Sequence, residues 1–552
     1  MKRLALFILL FLLLFLPLLA CAQPKTEIRA VWLTTIGGID WPSTYAHNGM
    51  GIEQQKRQLC NILDRLKAIN VNTVLLQTRV RATTIYPSDI EPWDGCLSGR
   101  PGQSPGYDAL QFAIDECHRR GMELHAWVVT IPVGKWNTYG CQQLRRRYGR
   151  LIKRIGEEGY MDPESSFTAS YIADICEEIT RRYDIDGIHL DYIRYPETWR
   201  GHMNPQHITN VVSAIRQKVK LHKPWVKLSC SPIGKYDDLS RYRSNGWNAR
   251  SRVAQDAQQW LRQGLMDQLY PMMYFAGNNF YPFAIDWQEQ SAGRTIGAGL
   301  GIYFLDPREG RWTLREVERQ MNVLRQAGLG HCYFRARFLT DNTKGIYDFA
   351  KRFDAVPALV PPMTWSGMPA PEAPATLTLR DGQLTWSAAR DASGAPGLVY
   401  NLYASDTYPV DISRADHIVA THLRQTQLAV APTKYYAVTA MNRYGLESEA
   451  RQLSLPTKPS ASALHPQSLA PRRSSLPIIG ESNGSPLRVP RCDPASDAYI
   501  LVVKNLMGQT VTRRYYTAEM SVRNLPDGVY QLYSLDRRGR QHRLGFFGVK
   551  RR

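Results

Sequence analysis

The chain has 552 residues, 43% of them hydrophobic and 21% charged, which is too long for one ordinary domain and too apolar for a disordered or fibrous chain. The formal net charge of +20 invites a nucleic-acid reading, but residues 451–552 carry 17 Lys and Arg against 6 Asp and Glu, so 11 of the excess charges belong to the tail. No nucleic-acid partner is expected, although a basic surface would still concentrate anionic glycans.

In chain order, Met1-Lys2-Arg3 precedes an apolar run from Leu4 to Ala20, with the charge, length and small-residue ending of an export signal. Cleavage after Ala20-Cys21-Ala22 makes residues 1–22 a signal peptide and places the protein outside the cell or on its outer surface. Lipid attachment at Cys21 is the alternative, disfavoured by the bulk of Leu19. No later run is long enough to cross a bilayer. The remaining cysteines show no C-x-x-C spacing, which argues against a zinc knuckle or a redox pair. Of these only Cys96 and Cys141, both in loops, are placed to bridge.

From residue 27 to 355 short apolar runs alternate with amphipathic helical patterns, the sequence form of an α/β chain built as a TIM (β/α)8 barrel. Strands are predicted at 28–35, 72–78, 122–128, 186–192, 226–231, 267–274, 295–303 and 331–336. Helices fall between them at 53–69, 107–120, 167–182, 206–221, 250–263, 283–290, 314–327 and 345–352. The segments after the strands, at 79–106, 129–166, 232–249 and 275–282, are long and rich in Trp, Tyr, Gly and Pro. Long loops on one rim build a cleft, and flat rings pack well on sugar C–H faces.

The fourth strand carries the strongest signal. Within Asp186-Gly187-Ile188-His189-Leu190-Asp191-Tyr192, His189 and Asp191 lie two apart and share a face, and Asp191 stands at the C-terminal end, where barrel enzymes keep their chemistry. Asp186 and Asp267, at the opposite strand ends, are expected to be structural. His125, His189 and Asp191 make a runner-up metal trio, but no H-x-x-x-H spacing supports it, and no metal or cofactor is expected.

Arg29-Ala30-Val31-Trp32-Leu33-Thr34-Thr35, Asp40-Trp41-Pro42, Gln77, Tyr86-Pro87-Ser88, Pro92-Trp93, Pro105-Gly106-Tyr107-Asp108, His125-Ala126-Trp127, Asp162-Pro163, Asp186-Gly187, Asp191, Ser231-Pro232, Pro271 and Tyr274 together resemble glycosyl-hydrolase-like family 10 over the whole barrel. The resemblance implies a glycoside hydrolase, in a family that includes a bacterial enzyme cutting peptidoglycan strands stripped of stem peptides. The chain departs from the family in having Asp191-Tyr192 where some members carry two adjacent acids, so the second catalytic group is open. Glycosidic hydrolysis ordinarily needs a proton donor and a second carboxylate, unless the sugar's own acetamide attacks. Asp191 is the first candidate, with Asp40 and Asp162 as partners, although Asp162-Pro163 also reads as a helix N-cap. Substrate contacts are assigned to Trp32, Trp41, Gln77, Arg79, Trp93, His125, Trp127, His189, Tyr192, Arg194 and Tyr274, the two arginines as carboxylate forks.

Beyond a Pro-rich linker, residues 375–456 alternate as strands and resemble a fibronectin type III-like β-sandwich. Residues 457–490 read as a flexible Ser/Pro tether. Residues 491–552 resemble a C-terminal sorting domain of the type IX secretion system, which makes that machinery a partner beside the polysaccharide. The chain thus reads as an exported glycoside hydrolase acting on a cell-wall or other amino-sugar polysaccharide. The rivals are a non-catalytic glycan-binding surface protein and a metal-dependent polysaccharide deacetylase.

Overall fold

Eight parallel strands close on themselves: β1 (Arg29–Leu33), β2 (Thr73–Arg79), β3 (Glu123–Val129), β4 (Gly187–Asp191), β5 (Lys227–Cys230), β6 (Gln268–Leu269), β7 (Thr295–Leu300) and β8 (Gly330–Tyr333). They belong to a computed structural model that describes residues 23–431, 433–453, 478–482, 487–489, 500–505, 509–515, 517, 519–522, 524–535 and 541–549. Residues 1–22 and most of 457–490 lie outside the described residues. Closure is made by β1, which pairs with β2 on one side (Val31 beside Val74) and with β8 on the other (Val31 beside Tyr333). Every residue of β1 to β5 is buried, as expected of parallel strands covered on both faces.

The outer helices are α1 (Gly49–Lys67), α2 (Ala109–Arg119), α3 (Ser166–Arg182), α4 (Pro205–His222), α5 (Ala257–Arg262), α6 (Tyr281–Glu289), α7 (Leu314–Ala327) and α8 (Ile346–Phe353). Asp108, Ser165 and Asn204 cap α2, α3 and α4, each side chain accepting a backbone N–H of the first turn. The helix predicted over 250–263 is broken, because Ala254 turns left-handed at φ 55° between Arg250–Val253 and α5. The sixth strand is shorter than predicted. Pro271 has no N–H to give a ladder, and the run continues only as bridges from Met272 to Ile233 and Gly299.

The largest departure lies after β3. The predicted loop 129–166 holds a three-stranded antiparallel sheet, Pro132–Lys135, Glu158–Met161 and Ile152–Ile155, with the helix Tyr139–Tyr148 between its strands.

Packing inside the barrel sets one glycine. A Cβ on Gly187 would lie 2.5 Å from the ring of His125, the residue opposite it in register, and His125 is fully buried. Gly187→Ala is expected to cost about 1–3 kcal/mol by overpacking, seen as a lower urea midpoint; an unchanged midpoint would show that the ring can yield.

Two compact units divide the chain, and the barrel belongs to one of them. In the other, a three-stranded sheet (Leu377–Arg380, Gln383–Trp386, Gln427–Ala429) and a four-stranded one built on Val399–Ser405 and Tyr435–Met441 share a core of Leu384, Trp386, Tyr400, Leu402 and Val438. Nearer the C-terminus, a five-stranded sheet in the order Ile478–Ser482, Gln541–Val549, Gly528–Leu535, Ile500–Asn505, Thr510–Tyr515 encloses Leu501, Val503, Leu532 and Phe547. Among the described residues no helix is long and apolar enough to cross a membrane. Cys96 and Cys141, expected to be available for a bridge, are both buried free thiols.

Candidate active site

At the C-terminal end of β4 the Asp191 carboxyl is buried at 7% exposure but not starved of donors. Its Oδ1 accepts from Ser231 Oγ at 2.8 Å and from the Tyr192 backbone N–H at 2.9 Å, and its Oδ2 accepts from Trp127 Nε1 at 3.1 Å. Burial raises its pKa above the usual carboxylate range despite these donors and the nearby Arg194. Thr130, just past β3, fixes the backbone: its N–H and hydroxyl both donate to the Asp191 carbonyl, at 2.9 and 2.8 Å.

Tyr192 then turns left-handed, with φ 52°. For an aromatic residue this conformation costs about 1–2 kcal/mol, and such strain is concentrated at functional sites. The turn leaves the Tyr192 ring 37% exposed beside the Asp191 carboxyl. The Arg194 guanidinium lies 4.7 Å from that ring's centre and donates to Glu197 Oε1 at 2.7 Å. Burial alone would raise the Glu197 carboxyl, but Arg194 outweighs it and holds the group below its usual range. Opposite, Tyr274 packs against Tyr303 and Phe334, with centroids 5.6 and 5.2 Å away, and Phe334 meets Trp32 edge-on.

Of the residues predicted for the site, the structure therefore brings together Asp191, Trp127, Tyr192 and Arg194. Tyr274 stands in the aromatic cluster with Tyr303 and Phe334, where burial first, and then the charges of Cys332 and Asp191, push its hydroxyl pKa up. His189 and Trp32 form the layer beneath: Trp32 Nε1 donates to His189 Nε2 at 3.1 Å, and His189 Nδ1 pairs with Ser229 Oγ at 3.0 Å. Burial, with His125 nearby, pushes His189 well below the usual imidazole range, so the ring is neutral and both its nitrogens are engaged. That leaves no lone pair for a metal.

Other expectations are corrected by position. His125 lies opposite Gly187, four residues below Asp191 in register, about 13 Å at ~3.3 Å per residue, and its Nε2 is 3.2 Å from Glu123. It belongs to the barrel floor, where Lys227 pairs with Glu123 at 2.6 Å. Asp186 and Asp267 clamp strand starts, accepting from the Leu124 and Leu228 backbone N–H groups. Trp41 is fully buried and donates to the Gln55 carbonyl, so it fills space under a loop and offers no stacking face. Gln77 Oε1 accepts from the N–H groups of Thr35 and Ile36, tying down the loop after β1. Arg79 is fully buried and forked onto Glu91, so it cannot receive a sugar carboxylate. Trp93 is only half-buried, in the loop after β2.

Both proposed partner acids hold the rim together. Asp40 receives Thr34 N–H and hydroxyl on Oδ2, and Arg335 and the Arg337 N–H on Oδ1, which ties the loop after β1 to the one after β8. Asp162 pairs with Lys153 at 3.1 Å and accepts from the Glu164 N–H. It is not the N-cap of α3 either, since Ser165 takes that place. Glu197, six residues beyond Asp191, was missed; only its neighbour Arg194 gave a signal.

A closed parallel barrel with a buried carboxyl and an aromatic cup at the C-terminal ends of its strands has the layout of the TIM-barrel enzyme class. The family model for glycosyl hydrolase-like 10 matches residues 27–207 and 197–303, half of the chain, and the chain belongs to that family. It is 29% identical over 400 residues to glycosyl hydrolase YngK of Bacillus subtilis (strain 168), covering 65% of this chain and 78% of that protein. Over 292 residues it is 28% identical to glycosyl hydrolase DigH of Escherichia coli (strain K12), covering 46% and 66%. Among solved structures, the PgaB (BpsB) glycoside hydrolase domain from Bordetella bronchiseptica aligns with a TM-score of 0.42 and 14% identity, covering 59% of this chain and 98% of that one.

Proposed function

We propose that the protein is an exported glycoside hydrolase that cuts glycosidic bonds in a bacterial cell-wall amino-sugar polymer. The observation that carries the reading is the Asp191 carboxyl, buried at the mouth of the barrel and made a weaker acid than usual, with Glu197, six residues on in the chain, held below its usual range by Arg194. Two carboxyl groups pushed apart in this way divide the labour of glycoside hydrolysis. Asp191 donates the proton to the leaving oxygen, and Glu197 is the base or nucleophile, because its partner Arg194 also acts on Asp191, whereas Asp40 ties two loops together and Asp162 pairs with Lys153. Membership of the glycosyl hydrolase-like family supports the reaction class, and the leader at residues 1–22 supports export. In this reading residues 375–456 are a fibronectin-like spacer and the C-terminal sheet is a type IX sorting domain.

The test is incubation of the purified protein with denuded peptidoglycan strands and with other polysaccharides, with products read by mass. New reducing ends on shortened strands are expected. Intact strands that have lost only acetyl groups would make it a deacetylase, and binding without any product would make it a glycan-binding protein.

The pH profile follows from the same two groups. As the proton donor, Asp191 loses activity as pH rises through its raised pKa, while Glu197 loses it as pH falls through its lowered one, giving a bell. Ser231 stabilises the ionised form of Asp191, so Ser231→Ala raises that pKa further and should move the alkaline limb of kcat to higher pH. An alkaline limb that stays in place would remove Asp191 from the donor role.

A further inference from the structure

Residues 131–161, inserted between β3 and α3, carry seven Lys and Arg against two Glu. Lys135, Arg146 and Arg150 are exposed, and their side chains make no hydrogen bond or ion pair among the described residues. Trp136 is gripped between two more cations, with the Arg145 and Arg154 guanidinium carbons 3.8 and 5.4 Å from its ring centre. An insertion this basic repels itself, and the barrel does not use the three open cations to close or pack; their charge is free to meet something negative.

The insertion also borders the site. Arg81, from the loop after β2, reaches Glu158 on its central strand at 3.5 Å. Tyr160, two residues on, shares a sheet face with Glu158 and lies opposite Lys153. Tyr160 and Tyr192 feel the same three charges, Arg81, Arg194 and Glu197, and Arg81 is bound to Glu158 on that face, so the insertion lies near the charges of the loop after β4.

We propose that residues 131–161 form a wall of the cleft that reads the carboxylates of an acidic glycan strand, with Lys135, Arg146 and Arg150 as the charge contacts. The proposal deepens the hydrolase reading by naming the substrate as an anionic sugar polymer, and it rests on that reading only for the placing of the strand. Repeating carboxylates along a polymer suit several separated cations better than a single fork would. A neutral polymer would leave all three without a role.

The experiment measures binding, so that it does not depend on turnover. Denuded peptidoglycan strands are compared with the same strands after amidation of their carboxylates, by affinity electrophoresis of Asp191→Asn protein. Charged strands are expected to bind at least about ten-fold more tightly at low salt, with the advantage vanishing near 1 M salt, where the screening length is only ~3 Å. Lys135→Ala/Arg146→Ala/Arg150→Ala, added to the same protein, should bind charged strands no better than amidated ones, with its melting temperature unchanged. Equal affinity for the two strands, or a triple variant that keeps the full preference, overturns the proposal. Wild-type protein that prefers charged strands but cuts none would overturn the hydrolase reading and leave the wall standing.

Discussion

Asp191→Asn is expected to lower kcat by roughly 10²- to 10⁴-fold while leaving the barrel folded. The replacement keeps the shape of the side chain, and its carbonyl oxygen can still accept from Ser231 and from the Tyr192 N–H in the place of Oδ1. Its amide would then face Trp127 Nε1, donor against donor, which costs about 1 kcal/mol. Against that stands a gain. The folded-state pKa of Asp191 lies above the unfolded value, so the stability this group contributes is complete below the unfolded pKa and is lost as pH rises through the folded one. Asn carries no such penalty, and near neutral pH the two terms oppose each other, so urea midpoints should differ little. Near pH 3 the gain disappears and the variant should be the less stable of the two. Turnover that survives the substitution undiminished would end the assignment of Asp191, and a collapsed midpoint at neutral pH would make the loss of activity one of folding.

The barrel was legible because its physics is local and repeated. Eight apolar runs such as Thr73–Arg79 alternate with amphipathic helices such as Leu314–Ala327, and the predictions fell within a few residues of the observed elements except at the broken helix 250–263 and the shortened sixth strand. Asp191 was legible for the same reason, as a charge closing an apolar strand. Direction was not legible. Trp41 and Trp127 look alike as residues, yet one is turned to a carbonyl beneath a loop and the other to the Asp191 carboxyl. Only the path of the chain decides which. The sheet within 131–161 escaped because its strands are four residues long, with Gly134 and Gly159 interrupting any alternation of apolar and polar positions. Glu197 escaped because its importance comes from Arg194 folding back over Tyr192, a turn that depends on the left-handed backbone of Tyr192.

Arg79→Ala should destabilise the barrel by about 3–5 kcal/mol, the usual result of removing one partner from a buried ion pair. Arg79 and Glu91 are both buried, joined by two bonds of 2.8 and 2.6 Å, and Tyr171 adds a third donor to Glu91 at 3.0 Å. Burial alone would lower the Arg79 pKa, but Glu91 outweighs it, so the guanidinium stays charged, and its loss strands a carboxylate in the interior. The same guanidinium also donates to the carbonyls of Val129 and Thr130, and the Thr130 hydroxyl in turn holds the Asp191 carbonyl. Activity should therefore fall together with stability. Arg79→Ala/Glu91→Ala removes the stranded charge and should recover part of the lost stability but not the lost kcat, because the carbonyls of β3 still lack their donor. Urea denaturation and turnover measured across the full double-mutant cycle separate these effects. A single-variant loss below about 1 kcal/mol, the range of an exposed pair, would mean that water reaches Glu91 and that the rim is held from elsewhere.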